Sequence, residues 1–107
     1  MPKPNETGPC EVNETVRLKS GESSQYVLSG CDTGFTAAAE INHAKPDDIV
    51  IMSLTGPNGE QEIATNLPDG DTATVTREGP MSGPWVLIVS NSGPSQISVN
   101  ISAGGQP

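Results

Sequence analysis

The residues able to do chemistry are few and lie far apart. His43 is the only histidine, so any Ser/His/Asp arrangement would have to be built on it. It follows an alternating segment and comes shortly before Pro46, which predicts a loop position and makes a surface histidine the plainer reading. No Gly-x-Ser-x-Gly elbow occurs. Ser82, in Gly79-Pro80-Met81-Ser82-Gly83, has the wrong spacing for one. The sequence therefore predicts a protein that is not an enzyme.

Carboxylates gather at two places. Asp47-Asp48 precedes an apolar run, and Asp69 and Asp71 flank Gly70. An Asp-Gly-Asp turn can offer carboxylate and carbonyl oxygens to Ca²⁺, so Asp69 and Asp71 are the candidate metal ligands. Asp-Gly is also ordinary turn chemistry, and the full EF-hand spacing is absent. No other cofactor is expected. Paired acids for glycoside hydrolysis would need a cleft with aromatic platforms, and Tyr26, Phe35 and Trp85 are the only aromatic residues.

Cys10 and Cys31 form no CxxC motif, and one histidine cannot complete a Cys/His zinc site. As a disulfide they would join the first strand to the next hairpin and stabilise the fold by about 3 kcal/mol. As thiols they would pack as small apolar groups. Three Asn-x-Ser/Thr sequons begin at Asn5, Asn13 and Asn100, and matter only in a host that glycosylates secreted chains. Lys19 ends its strand away from the expected core, which disfavours an isopeptide bond.

The elements that would position these groups are strands. In 107 residues, Gly, Pro, Ser, Thr and Asn are abundant and helix formers thin, a composition suited to short strands joined by turns. Val12, Val16 and Leu18 share one parity, broken by Glu14. Tyr26 and Leu28 mark a second strand. Phe35, Ala37, Ala39 and Ile41 alternate with Thr36, Ala38, Glu40 and Asn42, which favours a strand over a helix despite three consecutive alanines. Ile49–Leu54 and Trp85–Val89 are apolar at nearly every residue and predict central strands. Glu60–Thr65 and Thr72–Arg77 are more polar, the latter suiting an edge. Ile97, Val99 and Ile101 alternate cleanly with Ser98, Asn100 and Ser102. Gly56-Pro57-Asn58-Gly59, Pro68-Asp69-Gly70 and Asn91-Ser92-Gly93-Pro94 are turns. About eight strands at this spacing predict an antiparallel all-β sandwich, jelly-roll-like. It should occupy residues 11–103, with an extended proline-rich arm over 1–10 and a tail over 104–107.

Five basic residues against thirteen acidic ones give a net charge of −8. Such a surface repels nucleic acid and anionic membranes. No apolar run is long enough to span a bilayer, so membrane insertion is not expected. The N-terminus lacks the apolar core of a signal peptide. The chain is expected to be complete, or else one whose leader has been removed.

Part of the chain resembles a known family. Asp48-Ile49-Val50-Ile51-Met52-Ser53-Leu54-Thr55-Gly56-Pro57-Asn58-Gly59 resembles a hairpin of bacterial pre-peptidase C-terminal domains and proprotein-convertase P-domains. Gly83-Pro84-Trp85-Val86-Leu87-Ile88-Val89 resembles their G-x-W-x-L-x-V strand, and Ile97–Ile101 their last strand. The resemblance spans residues 48–102. It implies an eight-stranded jelly-roll-like sandwich used for stability, attachment or binding. Such domains accompany a protease, and this chain contains none.

These features predict a non-catalytic surface protein, most concretely a virion accessory protein that decorates a capsid. Its partner would be a protein, the capsid or another surface lattice, and it could also form a homo-oligomer. The arm residues Pro2, Lys3, Pro4, Asn5 and Pro9 are the candidate anchors, because arms reach neighbours and symmetry multiplies weak contacts. The alternative is a secreted binding or stability module, extracellular or at a cell surface, assisted by calcium at the aspartate loops.

Overall fold

The computed structural model describes residues 11–28, 34–67, 70–78 and 84–106. Eight strands run in chain order: β1 (Glu11–Leu18), β2 (Ser23–Leu28), β3 (Gly34–Asn42), β4 (Val50–Thr55), β5 (Gln61–Thr65), β6 (Thr72–Glu78), β7 (Trp85–Asn91) and β8 (Ile97–Gln106). They form two four-stranded sheets, β1-β8-β3-β6 and β2-β7-β4-β5, with every neighbouring pair antiparallel. This strand order is that of a jelly roll, in which consecutive strands alternate between two packed sheets except at the β4–β5 hairpin.

Alternation in the sequence becomes alternation of burial. On β3, Phe35, Ala37, Ala39 and Ile41 are buried while Thr36 and Glu40 are exposed, so the three alanines belong to a strand. The continuous runs are central, as expected: β4 lies between β7 and β5, and β7 between β2 and β4. Their inward residues Val50, Met52, Leu54, Leu87 and Val89 are all fully buried, each contributing about 1.5–3 kcal/mol from the apolar area removed from water. All three aromatic residues join that core. Burial pushes the Tyr26 phenol above its ordinary range, the Ser24 hydroxyl bonded to it opposes that shift, and the charge of Glu14 adds to it. Glu14 is exposed on the edge strand β1, at the parity of Val12 and Val16, where a charge discourages another chain from pairing with β1.

Strand β8 continues to Gln106, beyond the expected boundary at residue 103, because β3 offers pairing partners as far as Gly34. The hairpin turn between β4 and β5 carries Gly59 at φ 86°, a conformation that suits glycine. The Glu60 carboxyl is held below its usual range by the backbone N–H groups of Glu60 itself and Asn58, with the charge of Arg77 adding to the effect.

Candidate functional site

Because the strands alternate in direction, four loops gather at one end of the sandwich: residues 19–22, 43–49, 66–71 and 92–96. Two buried asparagines hold them. The Asn66 side chain donates to the carbonyls of Asp48 (2.9 Å) and Gly70 (2.8 Å) and accepts from the Val50 N–H (3.0 Å). Asn91 donates to the carbonyls of Leu18 (2.9 Å) and Ser95 (2.7 Å) and accepts from the Gly93 N–H (2.9 Å). Asn66 therefore ties the β3–β4 loop to the β5–β6 loop, and Asn91 ties the β1–β2 connection to the β7–β8 turn. The two halves meet where the Ser92 N–H donates to the Ile49 carbonyl (2.9 Å). At Gly93 an added Cβ would come within 2.9 Å of the Asp47 carbonyl oxygen, so the contact needs glycine.

On this frame the β3–β4 and β5–β6 loops enclose a depression of about 420 Å³ whose walls include His43, Lys45, Pro46, Leu67 and Asp71. Leu67 is 49% exposed, an unusual setting for leucine in a chain this polar. Among the described residues of the loop end, Glu22, Asp47, Asp48 and Asp71 outnumber Lys19 and Lys45. The depression is open, its lining mixes apolar residues (Ala44, Pro46, Leu67) with charged ones (Lys45, Asp71), and it suits a side chain or loop of a protein partner.

His43 is exposed on the rim, at φ 56°. Left-handed backbone at a non-glycine residue costs about 1–2 kcal/mol. His43→Gly is therefore expected to leave stability unchanged or raise it by up to about 1 kcal/mol, read as Tm by calorimetry. Loss of partner binding in that stable variant would report the imidazole alone. Nearby hydroxyls serve the loops: Thr72 Oγ1 donates to Asp71 (3.1 Å) and Ser20 Oγ to the Gly93 carbonyl (2.7 Å). Asp71 shares the depression with His43, and no hydrogen bond joins His43 to a hydroxyl or a carboxylate among the described residues.

Asp48 is buried, and its carboxylate caps its own turn by accepting from the Lys45 N–H at 2.9 Å. Asp47 and Asp71 are exposed, and Asp69 lies outside the described residues. Among the described residues, no three His, Cys, Asp or Glu side chains come within reach of one metal ion. Pro2, Lys3, Pro4, Asn5, Pro9, Cys10 and Cys31 also lie outside them. Glu11, where β1 begins, pairs with Gly104 at the end of the sandwich opposite the loop cluster.

Asn91 was expected in a turn, and Asn66 was given no role. Parity was the available signal: Asn91 continues the buried series Trp85, Leu87, Val89, and Asn66 continues the half-buried series Glu62, Ala64. A polar residue at a core position that ends a strand must have its hydrogen bonds satisfied from the adjoining loops.

The fold and this loop end define the class: a small jelly-roll sandwich that presents braced loops around a shallow, mixed-polarity depression. Among solved structures, the chain is similar to Aeromonas hydrophila PliG, a periplasmic lysozyme inhibitor of g-type lysozyme. The TM-score is 0.60 at 16% identity, covering 92% of this chain and 89% of that one. No protein-family model and no curated protein matches the sequence. At that identity the likeness establishes the fold.

The comparison also corrects the capsid expectation. The structure that matches nearly the whole chain is a periplasmic inhibitor, not a virion component, so the virion surface and the capsid lattice are withdrawn as location and partner. A net negative charge and a proline-rich arm, the features behind that expectation, suit any small sandwich that works outside a cell equally well.

Proposed function

We propose that this chain is a non-catalytic protein-binding module that works outside the cytoplasm, and that its partner is a cationic protein of the lysozyme kind. The observation that carries the reading is the match to a periplasmic inhibitor along almost the full length of both chains. Charge supports it: a net −8 on 107 residues attracts a basic partner over long range and speeds encounter. The braced loop end supplies the contact surface, with Leu67 as an apolar anchor and Asp47 and Asp71 as counter-charges at its rim. The resemblance to pre-peptidase C-terminal domains suits the same class of role, binding or attachment.

Titration calorimetry with a g-type lysozyme, alongside a cell-wall clearing assay, tests this reading. Binding and inhibition are expected at 50 mM salt, with affinity falling at least tenfold by 300 mM, because screening shortens the reach of the charges. A lysozyme left fully active and unbound by the protein at about 100 μM would remove the proposal.

A further inference from the structure

The charges of this protein are distributed unevenly between its two sheets. The strands β2, β7, β4 and β5 hold a single charged residue, Glu62 on the edge strand β5. Strands of the other sheet carry Glu11, Glu14, Arg17, Glu40, Arg77 and Glu78.

The outer faces differ in the same way. That of β2-β7-β4-β5 presents Val27, Val86, Ile88, Ile51 and Ile63: Val27 lies opposite Val86, and the isoleucines lie opposite Ser, Thr and Gln, diagonal to one another. Ile63 is 61% exposed. The outer face of β1-β8-β3-β6 uses Thr, Ser and Asn at corresponding positions and has no valine, leucine or isoleucine. Strand propensity accounts for β-branched residues on either face, and threonine meets it without exposing apolar surface. Five β-branched aliphatics on one face of a chain only 33% hydrophobic therefore need another cause.

We infer that this uncharged face is a self-association surface, covered by the same face of a second copy. Charge placement singles out that occupant. Sheets stack about 10 Å apart, so in a face-to-face pair the two charged sheets lie outermost, about 30 Å from each other. That is well beyond the Debye length of about 8 Å at physiological salt. The copies bring no like charges together at the centre of the contact despite a net −8 each. The area sets the strength. Four strands at about 4.8 Å spacing and six residues at about 3.3 Å give roughly 400 Å² per copy, below what a permanent dimer needs. The association is therefore weak and reversible.

Sedimentation equilibrium of the full chain from 5 μM to 1 mM, at about 50 and 500 mM NaCl, tests this. A monomer–dimer equilibrium is expected that tightens with salt, as residual repulsion is screened. That sign is opposite to the one expected for a cationic partner, so the two proposals fail separately. Ile63→Glu and Ile88→Glu should each weaken dimerisation at least tenfold, and Thr74→Glu on the opposite sheet should not. Ile63 is exposed enough for the fold to survive, which circular dichroism checks. A chain that remains monomeric at 1 mM in both salts overturns the inference. So does a dimer unchanged by both isoleucine variants.

Discussion

Asn91→Ala is expected to cost about 3 kcal/mol of stability and roughly 15 °C in Tm, measured by urea and thermal unfolding. The substitution strands the buried Leu18 carbonyl, the part-buried Ser95 carbonyl and the Gly93 N–H, all bonded at 2.7–2.9 Å. Each group left without its partner costs about 1–3 kcal/mol, and loop relaxation toward water recovers part of the total. Asn91→Asp should be worse at neutral pH. It keeps the acceptor for Gly93, loses both donors and sets a carboxylate against two carbonyl oxygens. Asn66→Ala should behave like Asn91→Ala, since its three partners are equivalent in kind. A loss below about 1 kcal/mol in both alanine variants would show that the loop end does not depend on these side chains.

The second large effect belongs to Trp85. Trp85→Ala should cost about 4 kcal/mol, through lost burial and the cavity left behind. The ring is 2% exposed, carries the Arg77 guanidinium 5.3 Å from its centroid, and abuts Gly56 so closely that a Cβ there would come within 2.7 Å of it. Its Nε1 is buried with no hydrogen-bond partner among the described residues. An unpaired buried N–H is itself unfavourable. Trp85→Phe removes that group and keeps most of the ring, so it should cost under about 2 kcal/mol. If phenylalanine were as damaging as alanine, the indole N–H would be making a bond that matters.

The fold was largely legible because its signals are local. Ile49–Leu54 and Trp85–Val89 are apolar at nearly every residue, the pattern expected of central strands, and both lie at central positions. Alternation at Phe35–Asn42 and Ile97–Ser102 marked strands with one face on the core. Strand order, by contrast, depends on contacts distant in sequence. Gly104-Gly105-Gln106 has the composition of a tail and becomes strand only because β3 lies alongside. The loop end was read in part. His43, Asp47, Asp48 and Asp71 were singled out as chemical groups, and they occupy the loops expected of them. What braces those loops was missed, because asparagine after a strand reads as turn chemistry until the opposite loop shows what it bonds. The depression itself needs two loops that are separated in the chain and adjacent only in space. The exposed Ile63 and Leu67 carry no sequence signal that tells them from core residues.

The place of β8 bears on how the molecule assembles itself. The eighth strand in chain order fills an interior position, between β1 and β3, and joins residue 11 to residue 104. Until it emerges, β1 has no neighbour in its own sheet, and a growing chain can complete only the other half of the sandwich. Completion of the sandwich therefore waits for β8, and closing so distant a pairing is slow. Until that pairing forms, one of the two layers lacks the strand that joins its edge to its centre.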